Sequence, residues 1–347
     1  MILEIIVTLA AGLALICLLV DRNFSAPRYY GAVTNHFNGK RFLNLDPPER
    51  KDFFDFLRWQ LTRKRGPWNK WTDAQPGSNP VPRISGEDLR ATFINHATVL
   101  IQTQGLNILT DPIWSERASP VRWAGPKRHR PPGMKFEDLP RIDIVLISHN
   151  HYDHLDIQTL LRLHADHHRR FVVGLGNHAF LTARGIDNVV ELDWWEVAKV
   201  SDELYVTCVP AKHFSGRGLT DADATLWCGF VIHTPGGNIY FAGDTGMGSH
   251  LKAIKERFRR FRLVLFPIGA YLPRWFMHPV HLSPSEAVEV HLLLEPRLSI
   301  AIHFGTFALG DDGELEPVHK LREALNNKCE SNSNFCVLQH GEGRNVP

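Results

Sequence analysis

The stretch Ser148-His149-Asn150-His151-Tyr152-Asp153-His154-Leu155-Asp156 follows the apolar run Ile144, Val145, Leu146, Ile147 and places three histidines and two aspartates within nine residues. A short apolar run ended by polar residues reads as a buried strand. Alternate residues leaving a strand point to the same side, so His149 and His151 can grip one metal ion together, while Asp153 and His154, just beyond, can turn toward a second. Neutral imidazoles and carboxylates on a rigid turn match the ligand preferences of zinc. One turn supplies too few ligands for two ions. The fold must therefore bring other strand ends to the same place.

Three further residues fit that requirement. His213 in VPAKHFSGR, Asp244 in YFAGDTG and His303 in SIAIHFGTF each follow an apolar strand-like run and precede a turn. Singly, each is an ordinary polar residue at a strand end; as an ordered set after HxHxDH they form a pattern. Two zinc ions about 3.5–4 Å apart can share a hydroxide at neutral pH. No side-chain nucleophile is then required. Ser215 lies near His213, but the chain contains no G-x-S-x-G elbow.

The remainder of the chain sets limits on class. Its 347 residues, 44% hydrophobic, can bury a sizeable core. Lys plus Arg (39) nearly balances Asp plus Glu (37), which gives no general electrostatic case for nucleic-acid binding. Cys17, Cys208, Cys228, Cys329 and Cys336 are odd in number and lack CxxC spacing, so buried thiols are expected rather than a disulfide framework.

Residues 1–20 carry Glu4 as their one charged side chain, and about twenty apolar residues is the length a helix needs to cross a bilayer. A single transmembrane anchor is expected there, a buried helix of the globular fold being the competing reading. Arg22, Arg28, Lys40 and Arg41 follow the span and no basic residue precedes it, which puts the body in the cytoplasm; a bacterial inner membrane is the expected setting. Residues 21–85 form an N-terminal aromatic and basic extension and linker. Within it, Phe53, Phe54, Phe56, Leu57, Trp59 and Leu61 interleave with Arg58, Arg63, Lys64, Arg65 and Lys70. That pattern suits a membrane interface and equally a helix packed on a neighbour with a solvated basic end.

Residues 86–347 read as the catalytic domain, an α/β unit with strands outnumbering helices. Strands are expected in ATFINHATVLIQTQGLNILTDP, RIDIVLISH, FVVGL, LYVTCVPA, LWCGFVIHT, NIYFAGD, LVLFPIG and LSIAIHFG, and a helix in IQTLLRLHADHH. Ser283-Pro284-Ser285-Glu286 has the capping-box form and predicts a helix over PSEAVEVHLLL.

The ordered set of ligands resembles the metallo-β-lactamase superfamily. Within it, FINHATVLIQTQGLNILTDPIWSERASP, SHNHYDHLD, ELDWWE, FAGDTG, IGAYLPRWFM and AIHFGTFAL resemble the N-acyl-phosphatidylethanolamine-hydrolysing phospholipases D and their bacterial relatives, over about residues 86 to 325. The resemblance implies an αββα sandwich, two sheets packed between helices. It implies a first zinc on His149, His151 and His213, a second on Asp153, His154 and His303, and Asp244 bridging them. Asp153 and His281 are the expected catalytic residues: His281, in MHPVHLSPSEA, would orient the substrate phosphate or protonate the leaving group, a plain loop histidine being the alternative. His96 and Asp111 would support the ligands from behind. The implied activity is that of a membrane-anchored dizinc phosphodiesterase of the phospholipase D type, acting through a metal-bound hydroxide on N-acylated or related phospholipids. The partners expected are a phospholipid substrate and a membrane, with no nucleic acid and a homodimer left open. The rival readings are a lactonase or other small-ester or phosphodiester hydrolase on the same metal pair, and a non-catalytic zinc-binding membrane protein.

Other features read as ordinary. GDTGMGSH lacks phosphate-loop spacing. His164, His167 and His168 form a solvated helical face beside Arg169 and Arg170, and Trp194 and Trp195 are core or rim aromatics. RWAGPKRHRPPG, with Arg122, Lys127, Arg128 and Arg130, is either a receptor for anionic headgroups or a solvated loop.

Overall fold

A computed structural model describes residues 12, 15, 18, 19, 21–46, 51–74, 77, 79–167, 169–328 and 334–347, with the backbone alone for residue 167. Among these residues two seven-stranded sheets form the body. The first runs, in spatial order, β14 (Gly343–Val346), β1 (Leu89–Asn95), β2 (Thr98–Thr103), β3 (Leu106–Thr110), β4 (Ile144–Ile147), β5 (Arg170–Gly174), β6 (Val189–Leu192). The second runs β13 (Phe335–Cys336), β12 (Leu298–Ile302), β11 (Phe261–Pro267), β10 (Gly237–Phe241), β9 (Cys228–Thr234), β8 (Tyr205–Pro210), β7 (Val197–Lys199). All the expected strands form. The short β6, β7, β13 and β14 were not anticipated, because two to four residues of mixed polarity give no periodicity to read.

Period-two alternation decides what each strand face touches. In β4, Ile144 and Leu146 join the core between the sheets, while Val145 and Ile147 face a second cluster completed by Leu160 and Leu163 of helix Ile157–His167 and by Phe180 of helix Asn177–Thr182. Helices Ser249–Arg257, Pro284–Leu294 and Glu316–Lys328 bring Leu251, Ile254, Ala287, Val288 and Leu321 onto the second sheet. The result is a helix–sheet–sheet–helix sandwich. Helix Pro284–Leu294 starts as its sequence predicts: the Ser283 hydroxyl accepts from the Glu286 N–H, and the Glu286 carboxylate accepts from the Ser283 N–H. The β2–β3 hairpin turns on Gln104 and Gly105, both at positive φ (52° and 70°), where glycine is free of strain.

The extension before β1 is packed onto this body. Phe37 and Phe42 are buried in the main core, and Phe42 donates its N–H to the Asp223 carbonyl at 2.8 Å. Helix α1 (Phe53–Thr62) is capped by Asp52 and buries Trp59 against Phe276, ring centroids 4.8 Å apart. Phe53, Phe54, Phe56, Leu57 and Leu61 remain exposed. The packed-helix reading thus holds for Trp59, while the other apolar side chains of the stretch face outward. Most of the expected anchor, residues 1–11, 13, 14, 16, 17 and 20, lies outside the described residues; among the described residues no helix is long and apolar enough to cross a membrane. Cys208 and Cys228 are buried free thiols and Cys336 a half-buried one; Cys17 and Cys329 lie outside the described residues.

Candidate metal centre

Strand direction explains why the ligands meet. In the second sheet β10, β11 and β12 are mutually parallel, and β8 runs the same way because it is antiparallel to β9, which is antiparallel to β10. The C-terminal ends of β8, β10 and β12 therefore lie along one edge, and His213, Asp244 and His303 follow those ends. The turn after β4 of the first sheet brings His149, His151, Asp153 and His154 to the same edge.

There the side chains converge. His149 Nε2 is 2.8 Å from His151 Nδ1, which is 3.3 Å from His213 Nε2. Asp244 Oδ2 lies 3.8 Å from His213 Nε2, 3.2 Å from His154 Nε2 and 3.1 Å from His303 Nε2; Asp153 Oδ2 lies 3.2 and 3.4 Å from the last two. The structure thus forms one group from His149, His151 and His213 and another from His96, Asp153, His154 and His303, with Asp244 between them. His281 enters the same space, its Nδ1 3.9 Å from Asp244 Oδ2.

This donor set fits metal ions rather than a hydrogen-bonded network. His281 Nδ1 and Asp244 Oδ1 are buried without a hydrogen-bond partner among the described residues, and His154 Nε2 and His303 Nε2 face only the crowded Asp153 and Asp244 carboxylates, an arrangement that bound cations would satisfy. The opposite atoms of the ligands are tied down. His154 Nδ1 donates to Asp111 at 2.6 Å, His213 Nδ1 to the Val280 carbonyl at 2.9 Å, and His96 Nε2 to Asp153 at 2.8 Å. Such outer bonds fix the tautomer and ring plane that a metal ligand needs. His96, Asp111 and His303 also hold left-handed backbone, with φ of 46°, 31° and 61°, strain of the kind that collects at functional sites.

Electrostatics follows from burial and neighbours. Burial drives His149 well below its ordinary pKa and His151 to about 3 and His213 to about 4, so all three are neutral imidazoles able to ligate. Burial acts in the same sense on His303, but the Asp244 and Asp153 carboxylates outweigh it and lift the ring to about 9. Burial would raise Asp153 and Asp244, yet the adjacent imidazoliums hold both carboxyls well below their usual range. In the chain by itself two protonated histidines balance two carboxylates; cations would take their place.

His151, Asp153, His213, Asp244 and His303 line the floor of a cavity of about 550 Å³, within the usual size for a small-molecule site. Its walls include Phe42, Leu43, Phe56, Trp59, Phe214 and Met277. Phe42, Leu43, Asn44 and the α1 residues come from the extension, and sequence reasoning missed them as site residues: nothing in RFLNLDPPE distinguishes a cavity wall from a linker. Elsewhere, His164 lies 3.4 Å from Asp187, away from the centre, while the side chain of His167 and all of His168 lie outside the described residues. Trp194 is buried and donates Nε1 to the Trp227 carbonyl, and Trp195 is half-buried under Arg257. In the basic loop, Arg128 is buried, donating to the Ser115 and Ile113 carbonyls, and Arg130 pairs with Glu314. Neither is free to receive a headgroup.

Two sheets packed between helices, with candidate His and Asp ligands gathered from four strand ends onto one edge, have the build of a metal-dependent enzyme, and its similarities to known proteins make it a hydrolase. Residues 106–304 match the β-lactamase superfamily domain model, and the chain belongs to the metallo-β-lactamase superfamily. It is 37% identical over 341 residues to N-acyl-phosphatidylethanolamine-hydrolyzing phospholipase D 1 of Caenorhabditis elegans, covering 93% of this chain and 95% of the relative. It is 30% identical over 225 residues to a UPF0173 metal-dependent hydrolase of Methanopyrus kandleri, covering 63% and 85% of the two chains. In fold it is similar to a metallo hydrolase from Ignicoccus hospitalis, at TM-score 0.56 and 23% identity over 74% of this chain and 98% of that one.

Proposed function

We propose that the protein is a dizinc phosphodiesterase of the phospholipase D type, cleaving N-acylated or related phospholipids at a membrane surface. The observation that carries this reading is the apolar cavity whose floor is the ligand cluster. An acyl-bearing substrate can lay its chains along Phe42, Leu43, Phe56, Trp59 and Met277 while its phosphodiester reaches the ligand-bearing edge. The similarity to the Caenorhabditis elegans phospholipase D supports the same substrate class.

His149, His151 and His213 would hold one ion, Asp153, His154 and His303 the other, with Asp244 shared. Two divalent ions so placed supply Lewis-acid polarisation of a phosphoryl oxygen and lower the pKa of water. The chain's own residues do the remainder. Asp153, held by His96, keeps its carboxylate ionised at the floor. His281, buried beside Asp244 with Nδ1 unpaired and its ring held neutral by burial, stands where it can donate a hydrogen bond to a phosphate oxygen. The apolar walls exclude bulk water, which strengthens each of these electrostatic contacts.

Membrane contact is part of the proposal. Residues 1–20 would anchor the chain, with the body on the cytoplasmic side. Helix α1 presents Phe53, Phe54 and Leu61 at 70%, 75% and 78% exposure, and its Phe56 and Trp59 line the cavity, so the apolar face lies at the cavity's rim. The test is hydrolysis of a soluble bis-aryl phosphodiester and of N-acyl-phosphatidylethanolamine in mixed micelles, each with and without chelator. Chelator-sensitive turnover of both is expected. Lactone opening without turnover of either phosphodiester would overturn the reading.

A further inference from the structure

The segment Phe42-Leu43-Asn44-Leu45-Asp46 comes from the N-terminal extension, far in sequence from the ligands, yet it holds the backbone of one of them, His213, and of the helix start that follows another, Asp244. His213 lies in the connection between β8 and β9, beyond any sheet ladder, so its backbone groups need other partners. Asn44 supplies both: its Nδ2 donates to the His213 carbonyl at 2.8 Å, and its Oδ1 accepts the His213 N–H at 3.1 Å. The same Oδ1 accepts Trp227 Nε1 at 2.9 Å, which fixes the amide plane. One side chain thus replaces a rung of β-sheet. With the ring held at Nδ1 by the Val280 carbonyl, His213 Nε2 is left facing His151 and Asp244.

Two residues on, Asp46 acts on the segment after Asp244. Helix Ser249–Arg257 begins at Gly248, which has no side chain to cap it. The Asp46 carboxylate caps it from a distance, accepting from the Ser249 N–H at 2.8 Å and the Ser249 hydroxyl at 2.6 Å. The strip itself is anchored by Phe37 and Phe42 in the core and by the 2.7 Å contact of His36 Nε2 with Asp193.

We propose that Asn44 is a positioning residue for His213, and that the 42–46 strip is a clamp setting the spacing between the His213 and Asp244 ligands. The inference rests on the metal-centre reading above. Because Asn44 touches the backbone of His213 and of no residue in the group of Asp153, His154 and His303, its loss should weaken one metal position and spare the other.

The test uses full-length, metal-loaded protein and reads metal retention by chelator competition, alongside kcat and KM on a soluble phosphodiester. For Asn44→Ala, one of two ions should be lost about 10- to 100-fold more readily, the second should be held as in the parent, and kcat should fall with little change in KM. Asn44→Asp keeps the acceptor and places an oxygen against the His213 carbonyl; it should show the same one-site weakening and carries the test should the alanine variant misfold. Parent-like retention of both ions in a folded variant, or equal weakening of both sites, would overturn the proposal. A parent protein that retains no metal would instead overturn the metal-centre reading, so the two failures are distinct.

Discussion

The Asp111 carboxylate, fully buried, accepts a 2.6 Å hydrogen bond from His154 Nδ1 and so turns the other ring nitrogen toward Asp153 and Asp244. It also accepts from the Ser148 N–H at 2.7 Å and the Ser148 hydroxyl at 2.6 Å. One acidic side chain therefore fixes both the tautomer of a candidate ligand and the start of the turn that carries three more.

Asp111→Asn should uncouple these roles. An amide NH₂ facing His154 Nδ1 favours the tautomer protonated on Nε2, which cannot ligate, while the Ser148 contact can persist through the remaining oxygen. Chelator competition should show metal affinity lowered by about 10- to 100-fold, with the thermal midpoint of the metal-free protein nearly unchanged. A variant with normal affinity would show that Asp111 serves the turn alone.

The metal-free protein should have a stability maximum near pH 6.5. Burial depresses His96 and His151 to about 3, His213 to about 4, and holds His149 and His281 well below their ordinary value, so below pH 6.5 the unfolded chain binds protons that the folded chain refuses. Each costs up to about 1.4 kcal/mol per pH unit as pH falls. His303 has the opposite sign: raised to about 9, it stabilises fully below 6.5, and that contribution is lost as pH rises through 9. Thermal denaturation of chelated protein at pH 5, 6.5 and 9.5 should give the highest midpoint at 6.5; a flat profile would mean that the cluster is solvated.

Asp312 should report on the loop at the far wall. Burial pushes its carboxyl from 3.8 up to about 6, against the N–H bonds it receives from Ala270 and Leu272. A raised folded-state pKa gives stability that is present at low pH and lost as pH rises through 6. Asp312→Asn should remove that loss, gaining about 2 kcal/mol relative to the parent between pH 4 and 8 in chelated protein. Parallel pH profiles for the two proteins would refute it.

Most of this architecture was legible because it is written in apolar runs. Each candidate ligand lies in the turn that follows a strand whose residues bury both faces, as Val145 and Leu146 do in β4, and a short run of that kind bounded by turn residues reads as an interior strand. Asn44 left no such trace. A side-chain amide that pairs with backbone 169 residues away depends on where two loops meet, and any sequence could flank it. The interleaved aromatic and basic stretch was ambiguous for a physical reason too: Trp59 finds its partner in Phe276, 217 residues downstream, and Arg58 lies over the neighbouring Trp275. Arg63 then stacks on Trp59 and pairs with Asp311, placing one basic residue in structure and leaving its neighbours to solvent.

The exposed face of α1 gives a prediction independent of the metal. Replacing Phe53, Phe54 and Leu61 together with serine leaves Trp59 and the cavity wall in place. Activity on vesicles should fall at least several-fold, because apolar area is no longer buried in the interface, while the rate on a soluble phosphodiester stays at the parent level. Equal rates on vesicles for the two proteins would remove α1 from the membrane contact.

The central claim is that water, recruited at this centre, attacks the phosphorus of an N-acylated phospholipid. Turnover of N-acyl-phosphatidylethanolamine by metal-loaded protein in ¹⁸O-water, followed by mass spectrometry, tests it most directly. The account predicts phosphatidate carrying one ¹⁸O and an unlabelled N-acylethanolamine, with no products after chelation. Label in the N-acylethanolamine, or products that persist without metal, would contradict it.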